Sequence, residues 1–138
     1  MTKVFIDTSV FVRFLTGDEQ QKYKDCIKFF ELVELGKLRP YTSNIVILEI
    51  QFVLVRLYNF PKEKVLADIR SLLSLRNLVL IEKSNTVGAL ALYKKHNIKY
   101  PDCLIATQVP KSSKIVTYDA DFSKVENLSS VVPSEFLT

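Results

Sequence analysis

Lys3-Val4-Phe5-Ile6-Asp7-Thr8-Ser9-Val10 is the stretch that decides the fold. Residues 3–7 are β-branched and aromatic up to the aspartate, the composition of a short buried strand, and residues 8–15 read as a helix leading away from it. A carboxylate therefore stands where a strand stops. In open parallel α/β sheets the carboxyl ends of the strands open into the ligand crevice, so Asp7 occupies a position suited to chemistry.

Working outward, Asp18 can cap a long helix running to about residue 35, with Gly36 just past its end, where a left-handed backbone is tolerated. Within it Ile27, Phe30 and Val33 share a face. Tyr41-Thr42 reads as a short strand, after which Ser43 or Asn44 caps a helix over residues 45–58. That helix is apolar nearly all round and is expected to be buried, within the domain or partly against a second subunit. Pro61 suits the first turn of the next helix, whose stripe is Val65, Leu66, Ile69, Leu72 and Leu73. Residues 78–81 read as a strand, and Ser84 or Asn85 begins a helix to about Lys95. Pro101-Asp102 begins one more, which Val109-Pro110 cuts short. Residues 114–118 form the next strand and Val131-Val132 a last edge strand. Strands alternating with helices predict a three-layer α/β/α sandwich with a mainly parallel central sheet, and residues 1–138 are expected to form one domain.

Hydrophobic residues make up 48% and charged residues 25% of the 138, with three glycines and five prolines, which excludes a disordered or fibrous chain. The formal net charge is +4, so a chain that concentrates acids in one pocket is clearly basic elsewhere. Such asymmetry fits a polyanionic partner and equally serves solubility. Two cysteines, Cys26 and Cys103, are too few for a disulfide scaffold and lack metal-site spacing, which points to a reducing, cytoplasmic setting. No secretory signal is expected, because Asp7 and Arg13 interrupt the only early apolar stretch. No membrane segment is expected either, because Glu49 and Gln51 break residues 45–55, which fall short of the roughly 20 needed to span a bilayer.

Further acids stand in comparable settings: Glu49 inside its apolar helix, Asp102 straight after Pro101, and Asp119 with Asp121 just past Ile115-Val116-Thr117. Each has an ordinary structural explanation when taken alone. Asp7 and Asp102 can cap helices, and Asp119 and Asp121 can form a solvated turn. Glu49 resists such dismissal, since a carboxylate among apolar neighbours costs several kcal/mol unless it is paired, protonated or bound to a cation. Arg56 or solvent at the helix edge would be its plain partner. In a parallel sheet the ends bearing these acids converge, and several carboxylates held together repel unless a divalent cation offsets them. With almost no histidine present, that cation is a hard ion such as Mg²⁺ or Mn²⁺, which can activate water and orient a phosphodiester. Ser9 and Thr117 supply hydroxyls that can orient the acids or satisfy the backbone.

Val-Phe-Ile-Asp-Thr-Ser-Val at 4–10, Ser-Asn-Ile-Val-Ile-Leu-Glu-Ile at 43–50, Pro-Asp-Cys-Leu-Ile-Ala at 101–106, Thr-Tyr-Asp-Ala-Asp-Phe at 117–122 and the closing Val-Pro-Ser-Glu-Phe-Leu together resemble the PIN-domain ribonucleases, particularly the VapC-type toxins. The likeness spans the chain. It implies a Mg²⁺- or Mn²⁺-dependent endoribonuclease that acts on single-stranded or structured RNA, forms a homodimer, and is silenced by a small antitoxin protein. By position, Asp7, Glu49, Asp102 and Asp119 match the family's acidic quartet and Asp121 an auxiliary acid, with Asp7, Asp102 and Asp119 as metal ligands. Cys103 departs from the pattern, standing where alanine is commoner.

Other classes fare worse. A phospho-accepting receiver needs a lysine at the far end of its last strand, whereas Lys114 precedes residues 115–117. An Asp-x-Asp phosphohydrolase is disfavoured by Ser9. An inactive nucleic-acid-binding relative would have lost ligands, and a housekeeping RNA-processing nuclease would lack the antitoxin. His96, in Lys94-Lys95-His96-Asn97, reads as a helix-end residue, and neither a glycine-rich phosphate loop nor a Gly-x-Ser-x-Gly turn is present.

Overall fold

The computed structural model describes residues 2–138 and places Val4, Phe5 and Ile6 in the middle strand of a five-stranded, wholly parallel sheet. All three side chains are fully buried although successive residues of a strand point to opposite faces, so both faces of the sheet are covered. The strands are β1 (Thr2–Ile6), β2 (Leu38–Ser43), β3 (Val79–Ile81), β4 (Lys114–Val116) and β5 (Ser130–Val131). Their spatial order is β3-β2-β1-β4-β5. The chain thus winds outward from β1 through β2 to β3, then returns to the other side of β1 for β4 and β5. The reversal opens a crevice between the carboxyl ends of β1 and β4. Asp7 follows the first of these strands, and Asp119 lies just beyond the second.

Six helices connect and cover the strands: α1 (Thr8–Thr16), α2 (Gln20–Glu34), α3 (Asn44–Arg56), α4 (Lys62–Leu73), α5 (Thr86–Lys95) and α6 (Tyr100–Gln108). Gly17 ends α1 with a φ of 63°, and its N–H closes on the Arg13 carbonyl at 3.0 Å. The main core joins the β1 side chains to Val10, Phe11, Phe29, Phe30, Ile50, Leu54 and Ile115, with the Phe11 and Phe30 rings stacked at 5.6 Å. A smaller core of Ala89, Ile98, Cys103 and Val125 binds α5 to α6 and holds the latter's first turn in place. Among the described residues no helix is long and apolar enough to cross a membrane.

Several local expectations are corrected. Glu19, not Asp18, caps α2, accepting from the amides of Gln21 and Lys22 at 3.1 and 3.0 Å. Asp18 is drawn away by Arg13, Thr16 and Tyr58. On α3, expected to be buried within the domain or partly against a second subunit, Leu48 and Phe52 are 62% and 57% exposed on the single chain. Strand β2 begins at Leu38, ahead of the expected Tyr41-Thr42, because pairing with β1 carries Arg39 and Pro40 into the sheet. Strand β4, expected over residues 114–118, is shorter and ends at Val116.

Candidate active site

Asp7 is 3% exposed and precedes α1 without making a capping hydrogen bond from its side chain. Its Oδ2 instead accepts from the Thr117 hydroxyl at 2.6 Å and the Ser9 hydroxyl at 3.1 Å. Both hydroxyl oxygens are themselves engaged, Ser9 by the Tyr118 N–H and Thr117 by the Asp119 N–H, each at 2.9 Å. A continuous hydrogen-bond path therefore runs from the loop after β4 to the loop after β1 and fixes the relative placement of Asp7 and Asp119. Burial raises the Asp7 carboxyl above its ordinary range, opposing the hydroxyl donors that favour its charge.

Glu49 reaches the same place from the second turn of α3. It is half-buried, and its Oε1 accepts from the Thr8 hydroxyl at 2.7 Å. Its affinity for a proton is raised, first by burial and then by Asp7 and Asp119, against the Thr8 bond and Lys99. Arg56, the plain partner considered from sequence, makes no ion pair among the described residues.

Asp102 enters from the first turn of α6 and is 3% exposed. Its Oδ2 is buried with no hydrogen-bond partner. Burial pushes its pKa up to about 7, helped by the negative charges of Glu49, Asp7 and Asp119, while the ammonium of Lys99 pulls the other way. Asp102, Asp119 and Asp121 each offer one carboxylate oxygen lying within 4.8 Å of the others. A carboxylate with an orphaned oxygen, grouped with two further acids, suits a hard cation, since proton or metal is what a buried anion of this kind lacks. This trio shares Asp102 and Asp119 with the expected Asp7, Asp102 and Asp119, and Asp7 lines the same cleft with its Oδ2 accepting from two hydroxyls. Asp121 also pairs with Lys124 at 2.9 Å, and its N–H donates to Asp119 Oδ1 at 2.9 Å.

Asp7, Glu49, Asp102 and Asp119 line one cleft of about 260 Å³, together with Thr8, Ser9, Arg13, Tyr58 and Lys99. On one rim Arg13 donates to Asp18 at 2.9 Å, and the Tyr58 hydroxyl donates to the other oxygen of the same carboxylate. Lys99 also lines the cleft. Thr8, Lys99 and the Arg13–Asp18–Tyr58 cluster were not singled out from sequence. Only Lys99 carried a local signal, a lysine three residues before Asp102; Thr8 and Glu49 are 41 residues apart. His96 caps the end of α5 and is absent from the cleft.

An open parallel sheet whose reversal point gathers carboxylates from two strand ends and the early turns of two helices defines a class of α/β protein with an acidic crevice. Residues 4–128 match the PIN domain, and the chain belongs to that family. Its fold is that of a VapBC from Salmonella typhimurium solved bound to DNA, with a TM-score of 0.73, 16% identity, and coverage of 96% of this chain and 99% of that one. It is likewise similar to VapBC2 from Rickettsia felis bound to a fragment of promoter DNA, with a TM-score of 0.67, 19% identity, and coverage of 95% and 98%. The Mycobacterium tuberculosis VapC20, described as a toxin that cleaves the sarcin-ricin loop, aligns with a TM-score of 0.66 and 15% identity over 88% of this chain and 93% of that one. No curated protein matches the chain significantly in sequence.

Proposed function

We propose that this protein is a divalent-cation-dependent endoribonuclease and the toxin of a toxin–antitoxin pair, acting in the cytoplasm. The observation that carries the reading is Asp102, whose Oδ2 is buried without a partner and whose carboxylate offers an oxygen within 4.8 Å of oxygens of Asp119 and Asp121. Asp102 and Asp119 would hold Mg²⁺ or Mn²⁺, with Asp121 and Asp7 contributing charge from either side. When bound, such an ion supplies a water of lowered pKa and offsets charge on the phosphate and the departing oxygen. Glu49, held at Oε1 by Thr8 and raised in proton affinity, takes up the proton at Oε2 that an attacking water must lose. Ser9 and Thr117 keep Asp7 from rotating, so its charge stays aimed at the cleft. Without histidine or cysteine in the cleft, proton transfer falls to these carboxylates.

Two partners follow. A cleft of acids is a strongly negative concavity, which an arginine on a flexible segment of a small antitoxin could enter, pairing with two carboxylates at once. The likeness to VapBC assemblies supports such a partner. A homodimer is supported by the apolar side chains left exposed on α3 and α5, among them Leu48, Phe52, Val87 and Leu90.

The test is cleavage of a mixed-sequence, single-stranded RNA by purified protein supplied with Mg²⁺ or Mn²⁺. Cutting that stops on adding EDTA is the expected result, and undiminished cutting in excess chelator refutes the cation-dependent reading.

A further inference from the structure

Substrate poses an electrostatic problem that the acids do not solve. A phosphodiester approaching Asp7, Glu49, Asp102 and Asp119 brings more negative charge to a site already rich in it, so a cation on the protein must help to hold the chain. The cleft is lined by two candidates, Arg13 and Lys99. Arg13 is committed to Asp18 at 2.9 Å. Lys99 is exposed, and among the described residues its side chain enters no ion pair or hydrogen bond.

Its placement is specific. Ile98, buried in the smaller core, anchors the chain just before it, and α6 starts just after it with Asp102 in its first turn. Lys99 lines the same cleft as Asp7, Glu49, Asp102 and Asp119 while staying exposed, so an incoming polyanion can reach it. Lys99 also borders two neighbouring concavities. One is lined by Leu48, Phe52 and Pro101, and the other by Asn97, Tyr100 and Asp121. A strand laid through the acid cleft and continued into either of them passes this side chain.

We propose that Lys99 is a substrate-binding residue whose ammonium meets the non-bridging phosphate oxygens at, or next to, the bond that is cut. The inference rests on the ribonuclease reading and adds the group that receives the polyanion. A lysine suits the task because it is a point charge on a flexible stem with three donors, able to follow the phosphate as the acids are neutralised.

The experiment compares Lys99→Gln, Lys99→Arg and the control Lys111→Gln, which lies ahead of β4, at the amino end of the strands rather than the carboxyl end that bears the acids. For each, kcat and KM are measured on a single-stranded oligoribonucleotide over a series of KCl concentrations. Lys99→Gln is expected to raise KM by about fivefold and to reduce the slope of log affinity against log salt by about 0.7, the value of one lost contact to single-stranded phosphate. Lys99→Arg and Lys111→Gln should stay near the unaltered protein. An unchanged KM and slope in Lys99→Gln overturns the proposal, as does a loss confined to kcat. The same slopes are read by fluorescence anisotropy on an uncleavable 2′-O-methyl strand. If the unaltered protein cuts no RNA, the ribonuclease reading falls while this binding arm still decides Lys99: a Lys99-dependent slope sustains the phosphate contact and an unchanged slope ends it.

Discussion

Two recesses of similar size lie on this molecule, and they have opposite characters. Phe11, Phe14, Ile27, Phe30 and Leu72 line one of about 360 Å³ between α1, α2 and the end of α4, with Glu31 and Glu34 on its border. The other, about 260 Å³, is the acid cleft. The larger recess is continuous with the main core, and its walls favour folding through the apolar area they bury. The smaller one opposes folding, because Asp7, Glu49 and Asp102 all hold their protons more tightly than free carboxylates do. Volume therefore does not locate chemistry in this fold. What sets the acid cleft apart is a group of acids held in place by hydroxyls against their own repulsion.

Substitutions in the two places should separate stability from activity. Asp102→Asn keeps the shape and removes the charge, so cleavage should fall by on the order of a hundredfold to a thousandfold with the metal-free Tm unchanged or raised. Phe30→Ala should do the reverse. It should cost about 3 to 5 kcal/mol in denaturant unfolding while kcat per folded molecule stays within about twofold. Cleavage that survives Asp102→Asn, or that is lost in folded Phe30→Ala, would erase the distinction.

A finer contrast lies within the cleft. Asp119→Asn should reduce cleavage more than Asp121→Asn, because Lys124 already neutralises part of the Asp121 charge at 2.9 Å while Asp119 lines the cleft itself. Parallel rate measurements on the two variants, each repeated with Lys124→Gln, check the ordering and its cause.

The smallest effect is one of pH. The folded pKa of Asp102, about 7, lies above its ordinary 3.8, so its protonated form favours the fold. That contribution is full below about pH 4 and is lost as pH rises through about 7. Asp7 and Glu49 shift in the same direction. The metal-free Tm should therefore fall on going from pH 4 to pH 7, and Asp102→Asn should flatten the decline. A Tm that rises over this interval in thermal melts would contradict the assigned direction.

Much of this was legible in the sequence because the signals were local. The run Val4-Phe5-Ile6 ending at Asp7 is a buried parallel strand with a carboxylate at its chemical end, and residues 115–117 before Asp119 repeat the pattern one strand away. The Asn85 cap of α5 and the short α6 after Pro101 were readable for the same reason. What escaped depends on contacts between distant residues. Asp18 looks like a helix cap until Tyr58, 40 positions on, hydrogen-bonds to it. Arg39 and Pro40 are poor strand formers, and only the ladder with β1 makes them part of β2, which meets β3 from Tyr41 onward. The apolar surround of Glu49 left open whether α3 is buried within the domain or partly against a second subunit, and on the single chain Leu48 and Phe52 face outward. On the same helix Glu49 is half-buried, close enough to solvent to exchange a proton.

Calorimetric titration of Mn²⁺ into the metal-free protein and into Asp102→Asn, in buffers of different ionisation enthalpy at pH 7, tests the central claim most directly. The account predicts binding by the unaltered protein with proton release, since Asp102 is partly protonated at that pH and must give up its proton to a cation, and loss of both heat and proton release in the variant. Absence of binding by the unaltered protein, or undiminished binding by Asp102→Asn, would contradict it.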